Sequence, residues 1–304
     1  MPTMDARAVF SGADKETEGG AAFQLLAADP PATPLVFASP HSGRHYPAEM
    51  LEAAAVGSDA LRHSEDAFVD EMIAPAADAG AALIMGRYGR AWMDLNREPW
   101  ELDQTMFSDD LPDYARGRSA RVAAGLGAIA RVAAEGREIY ARKLTFAEAR
   151  ARVESTHQPY HNALDRLLAR ARGAHGMAVL IDWHSMPEAA ARTAVTPRHG
   201  KGCDIVLGDR FGAACTQKLT NLVERELEAM GYRVARNAPY AGGYTTEHYG
   251  RPANRTHALQ IEISRALYLD ETTLAPTEGL ARLTADIGRL TAVLAEHWPS
   301  LRPA

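Results

Sequence analysis

Cysteine is almost missing from this chain: Cys203 and Cys215 are the only two in 304 residues. Two thiols exclude a disulfide framework, and their spacing is not that of a zinc-binding pair, so both read as small packing residues. No apolar run approaches the length of a bilayer span, and the first twenty residues lack a basic segment followed by an apolar core. The expectation is a cytoplasmic protein with no membrane partner. Positive charge is short as well, with 33 Lys and Arg against 39 Asp and Glu, a formal net charge of -6. With no basic run interleaved with aromatics, nucleic acid is excluded as the expected partner. What remains is ordinary globular material, 46% hydrophobic and 24% charged, enough for a large core.

Residues 1–30 are polar and rich in Gly and Ala, and read as an N-terminal arm or edge hairpin. Residues 31–304 read as a single α/β domain. Its organising stretch is MAVLIDWHSMP, Met177 to Pro187, a buried strand that ends in Asp182, His184 and Ser185. The same design occurs earlier: the strand LVFAS, Leu35 to Ser39, runs into PHSGRHYP and leaves His41 at its mouth. Further strands are expected at ALIMGRY and AWMDLN, at Asp204 to Leu207, at Tyr232 to Asn237 and at HALQIEIS, His257 to Ser264. Helical spacing marks Asp59 to Ala79, with Ser64 as its N-cap, then Thr216 to Met230 and Thr277 to Trp298. Between about 116 and 172, Ala, Arg, Glu and Leu predict a helical excursion of two or three helices, interrupted near HQPYH. His161 in that stretch reads as either substrate-facing or structural.

Polar residues at the carboxyl ends of strands in an open α/β sheet sit where such sheets bind ligands. His184 and His41 are therefore candidate metal ligands. A third, acidic ligand would leave zinc an open position, and Glu65 and Asp66 both qualify, although first-turn acids are also explained by the helix dipole. At this point either one fits. Arg97, beside Asn96, reads as a carboxylate clamp because its planar fork matches carboxylate oxygens. Residues 237–252, NAPYAGGYTTEHYGRP, read as a loop closing over a ligand. Glu262, between Ile261 and Ile263, is either on a solvent face or a partly desolvated acid/base group.

The motifs SPHSG at 39–43, EDAFVD at 65–70, MDLNR at 93–97, IDWHSMP at 181–187, DIVLGDR at 204–210, GGYTTEHYGRP and HALQIEI together resemble the N-formylglutamate amidohydrolases. The resemblance runs from residue 39 to about 271. It implies hydrolysis of N-formyl-L-glutamate to formate and L-glutamate, with one zinc ion as cofactor and other divalent metals open to the same ligands. It favours Asp66 over Glu65, giving His41, Asp66 and His184 as the metal set, and makes Glu262 the general base. Arg97, Asn96, Arg210, Tyr244, Thr245, His248 and Arg251 are then the expected substrate contacts, for a small anionic N-acyl amino acid. The implied fold is a mixed central sheet flanked by helices on both faces, like the zinc carboxypeptidases (phosphorylase/hydrolase-like). Two alternatives stand beside this: a metallo-amidohydrolase or carboxypeptidase acting on another N-acyl amino acid or short acidic peptide, and a non-catalytic metal-binding relative.

Overall fold

Strands β4, Ala178–Met186, and β9, Thr256–Ser264, lie side by side at the centre of the sheet, parallel and paired over their full length. The computed structural model describes residues 22–133, 136–196 and 200–301. Around the central pair are β1 (Phe23–Leu26), β2 (Leu35–Ser39), β3 (Ala82–Gly86), β7 (Ile205–Gly208) and β8 (Val234–Arg236), in the order β1-β3-β2-β4-β9-β7-β8. β5 (Val195–Thr196) and β6 (Gly200–Lys201) form a separate antiparallel pair. The sheet is mixed: β2, β3, β4 and β9 run parallel, while β1 on β3 and β7 on β9 are antiparallel.

The helices in chain order are α1 (Ala48–Ala53), α2 (Ser58–Arg62), α3 (Val69–Ile73), α4 (Ala120–Ala123), α5 (Phe146–Arg152), α6 (Gln158–His175), α7 (Glu188–Ala191), α8 (Gln217–Ala229), α9 (Tyr244–Tyr249) and α10 (Gly279–His297). Side chains alternate across the sheet with period two. Val179, Ile181, Leu259 and Ile261 face a core shared with α3, α8 and α10, while Ala178, Leu180 and Ala258 face α6. Covering both faces explains why the central strands read as continuous apolar runs. Cys203 and Cys215 are both buried and free. Among the described residues no helix is long and apolar enough to cross a membrane.

Four expectations differ. The helix read over 59–79 is broken into α2, a loop over 63–68 and α3, so Ser64 caps nothing and Glu65 and Asp66 stand in the loop. The break has a cause: Phe68 is held at φ 65°, the left-handed region, and the Asp66 N–H donates to the His41 carbonyl at 3.0 Å instead of to a helix. AWMDLN is not a strand. Residues 91–96 are buried on every side, with Trp92 and Met93 in a satellite core shared with Leu102, Phe107, Ile129 and Val153. Between 117 and 145 the only α-helical turn among the described residues is α4, because Gly117, Gly125, Gly127 and Gly136 interrupt the Ala-rich run. Gly117 and Gly127 are there for space, since a Cβ on either would press on the backbone of Glu101. HQPYH, in contrast, is no interruption: α5 passes through a π-helical turn, Val153–His157, straight into α6. Residues 1–21 of the expected N-terminal arm lie outside the described residues, and 22–26 contribute the edge strand β1.

Candidate active site

Along the α6 face, β4 changes from Ala178 and Leu180 to Asp182 and His184, and β9 changes from Ala258 to Gln260 and Glu262. The same face thus turns from apolar to polar toward the carboxyl ends of the strands. There it meets His41, two residues beyond β2, and opens into a cavity of about 620 Å³. Glu262 faces this cavity and not bulk solvent, which resolves the two readings of its alternating strand; it is 7% exposed.

His41, Asp66 and His184 converge, all buried, with one donor atom from each lying within 4.8 Å of the others. Asp66 Oδ2 is 3.0 Å from His184 Nδ1 and 3.5 Å from His41 Nδ1. The outer nitrogens point the other way: His41 Nε2 meets Asp94 Oδ1 at 2.7 Å, and His184 Nε2 lies 3.0 Å from Asp182 Oδ2. A carboxylate stands behind each imidazole, hydrogen-bonded to the ring at His41 and beside it at His184, the usual surroundings of a metal ligand. Arg90 holds the other oxygen of Asp94 at 2.7 Å, and the Asn96 N–H donates to Asp94 Oδ1 at 2.8 Å. The loop carrying Asp66 is pinned by Arg265, one residue past β9, which donates to the carbonyls of His63 (3.1 Å) and Glu65 (2.7 Å) and to Asp66 Oδ1 (3.1 Å). Glu65 turns away, accepting from the Tyr46 hydroxyl at 2.9 Å.

The residues fit a divalent cation. His41 Nδ1 is buried among these groups with no hydrogen-bond partner. Burial alone would raise Asp66, yet the hydrogen bond from His184 and the His41 imidazole beside it outweigh burial and hold the carboxyl well below the usual range. Burial would likewise lower His184, but Asp182, Asp66 and Glu262 raise it well above its ordinary value. The carboxylates therefore favour positive charge at the imidazole, and a metal ion can replace the proton there. Glu262 is pushed up to about 7, chiefly by burial and by Asp66, against the pull of His184 and Arg90. Gln260 Nε2 donates to its Oε1 at 2.8 Å.

Of the other expected contacts, the structure brings some to the cavity and not others. Arg97, Asn96 and Arg210 line it. Asn96 is also a hub: its Nδ2 lies 3.1 Å from His184 Nε2, and its Oδ1 accepts from the Thr245 N–H at 2.8 Å. A Cβ on Gly243 would strike the Asn96 amide, so glycine is required for that close approach. Tyr244, Thr245 and His248 lie on α9, outside the cavity lining, where Tyr244 stacks on His248 and packs against His157 and His161. Arg251 also points elsewhere, donating to the carbonyls of Glu247 and Gly250. The part of the 237–252 segment that faces the cavity lies upstream, from Pro239 to Gly243.

His161 is structural. Its Nε2 meets the Leu95 carbonyl at 2.8 Å and its Nδ1 the Tyr249 hydroxyl at 3.0 Å. It belongs to a row on the π-turn and its flanks that grips the segment carrying Asp94, Asn96 and Arg97. Arg152 donates to the Trp92 carbonyl (3.2 Å), Thr156 accepts from the Trp92 indole (3.2 Å), and His157 Nε2 meets the Arg97 carbonyl (2.9 Å). Sequence reasoning missed Arg90, Gln260 and Arg265. Gln260 was within reach, since it precedes Glu262 by two on the same strand face. Arg265 offered no local signal, because its partners lie about two hundred residues upstream.

A family model for N-formylglutamate amidohydrolase matches residues 33–269. The N-formylglutamate deformylase of Pseudomonas putida is 31% identical over 242 residues, 79% of this chain and 83% of that one. That of Pseudomonas aeruginosa is 30% identical over 242 residues, 78% of this chain and 83% of its own length. The crystal structure of N-formylglutamate amidohydrolase from Ralstonia eutropha JMP134 is 37% identical, with a TM-score of 0.85 over 92% of this chain and 99% of that one. With the family model spanning most of its length and these relatives each matched over four fifths or more of their own length, the chain belongs to the N-formylglutamate amidohydrolase family.

Proposed function

We propose that this chain hydrolyses N-formyl-L-glutamate to formate and L-glutamate in the cytoplasm, with one zinc ion held by His41, Asp66 and His184. The observation that carries the reading is the buried carboxylate Glu262 in the same cavity as two carboxylate-backed imidazoles and an aspartate. A metal-binding protein without catalysis would have no use for that additional acid/base group. Zinc bound there would supply Lewis acidity, polarising the formyl carbonyl and making water easier to deprotonate.

The chain's own residues do the rest. Glu262 takes the proton from the attacking water and delivers it to the leaving nitrogen, so that glutamate departs as the amine. Burial raises Glu262 above the ordinary carboxylate range, in the direction that lets a carboxylate hold the proton between the two halves of the transfer. Asp94 and Asp182 keep the imidazoles oriented, and Arg265 holds Asp66 in place. Arg97 offers its guanidinium to a substrate carboxylate, and Arg210 lines the same cavity with its charge paired to Glu247. Cys203 and Cys215 are both free thiols, which fits a reducing compartment.

The test is formate release from N-formyl-L-glutamate by the zinc-loaded protein, beside N-acetyl and longer N-acyl glutamates. Formate as the dominant product supports the reading. Release of a larger acid with no formate would replace it with an amidohydrolase of other acyl specificity.

A further inference from the structure

Five arginines line the cavity: Arg90, Arg97, Arg121, Arg210 and Arg265. Three are balanced by carboxylates of the chain itself, Arg90 by Asp94 at 2.7 Å, Arg210 by Glu247 at 3.2 Å and Arg265 by Asp66 at 3.1 Å. Among the described residues the other two have no such partner. Arg97 gives Nη1 to the Asn96 carbonyl at 2.8 Å and Nε to the Leu126 carbonyl at 3.3 Å, so its fork is oriented without being neutralised. A guanidinium has five N–H donors, which leaves Arg97 three for a ligand. Arg121 sits on α4, whose start is capped by Ser119, and among the described residues its guanidinium makes neither a hydrogen bond nor an ion pair. Burial first, and then the charges of Arg90 and Arg121, pull Arg97 below its ordinary value against the opposing charge of Asp94. Two uncompensated cations in one cavity repel each other, and an anion bridging them removes that repulsion.

We infer that Arg97 and Arg121 form a two-cation receptor that selects a dicarboxylate, with Arg121 as a specificity-determining residue. The assignment of carboxylates rests on the proposed reaction and follows from depth. Arg97 comes directly after Asn96, whose amide touches His184, so it takes the carboxylate beside the scissile amide. Arg121 is exposed and takes the carboxylate at the end of the substrate side chain. Apolar lining at Leu126, Ala130 and Val132 is left for the methylenes between them. A monoanion would leave one cation unmatched, which is how the cavity tells glutamate from its neutral analogues.

Binding, measured apart from turnover, tests this. Glutarate and butyrate share a chain length close to the glutamate side chain and differ in one carboxylate. Isothermal titration of the zinc-loaded wild type should show glutarate binding more tightly than butyrate. Arg121→Ala should weaken glutarate about tenfold, the lower end for a hydrogen bond to a charged group, and leave butyrate unchanged. Arg121→Lys should recover part of the loss. In turnover, Arg121→Ala should raise KM for N-formyl-L-glutamate by a larger factor than for N-formyl-L-glutamine. Equal glutarate affinity in Arg121→Ala and wild type would overturn the receptor, as would an equal loss for both acids. A chain that binds glutarate through Arg121 and releases no formate would keep the receptor and remove the reaction instead.

Discussion

His184 and Glu262 are register partners on the adjacent parallel strands β4 and β9, so an imidazole of the proposed metal set and a carboxylate stand side by side on one sheet face. Neighbouring strands lie about 4.8 Å apart, which lets the two act on the same small substrate without Glu262 having to be a ligand. Glu262→Gln keeps the shape and the hydrogen bond to Gln260 and removes the proton acceptor. Metal content should be unchanged while kcat falls by about 10²–10⁴. A wild-type rate in this variant would remove Glu262 from the chemistry.

Metal removal is the second prediction. A chelator should abolish hydrolysis and added zinc should restore it, while a His41→Ala, His184→Ala double variant should purify without stoichiometric metal by elemental analysis. Full activity in a metal-free preparation would contradict the site.

The acidic ligand can be assigned by comparing neighbours. Asp66→Ala should lose the metal. Glu65→Ala should retain it, because that carboxylate faces Tyr46 and Arg62, and its cost should appear as stability, about 1–3 kcal/mol for the hydroxyl left unpaired. The opposite pattern in metal content would move the ligand to Glu65.

Arg265 supports Asp66 without lining up as a ligand itself. Arg265→Gln should lower zinc affinity by about 10–100-fold, the usual cost of losing a group behind a ligand, measurable by competition with a chelator. Unchanged affinity would mean that the 63–66 loop holds its shape unaided.

His157 gives a pH signature. Burial lowers it to about 4, below the ordinary 6.5. Between those values the unfolded chain binds a proton that the folded chain refuses, so its contribution is intact above about pH 6.5 and is lost as pH falls toward 4. The loss between pH 7 and pH 5 is about 2 kcal/mol for this one group. Urea unfolding of His157→Gln should show a shallower acid loss than wild type by about that amount, and an equal slope in the two proteins would refute it.

Much of the sheet was legible because its strands are bounded by Gly and Pro and end in polar residues. β4 and β9 fall within a residue of the stretches read for them, and β2 falls where it was read. Of the site, His41, His184 and Glu262 were visible as polar residues terminating or punctuating apolar strands. Contacts carried by long-range pairing were not: Arg265 meets Asp66 across the whole fold, and nothing local marks it. The segment around Trp92 misled because its residues are buried on all sides in a satellite core, so an apolar run there says nothing of a strand. Tyr244 and His248 read as ligand contacts because aromatic residues near a glycine pair suggest a binding loop. They are used to pack α9 against α6.

The π-helical turn stores one spare residue in the helix at this site. Nine residues separate Arg152 from His161, which on an unbroken α-helix would put them about 180° apart. The wider turn over Val153–His157 reduces that angle, and both reach the 92–97 segment. A further residue in this stretch would turn the preceding helix by about 100° and pull Arg152 from Trp92, whereas removing one would close the wide turn into plain α-helix, where eight residues bring Arg152 and His161 to about 80° and keep the grip in phase. Insertion and deletion are therefore not equivalent injuries here: the first puts the two halves of the grip out of phase, and the second removes only the spare residue.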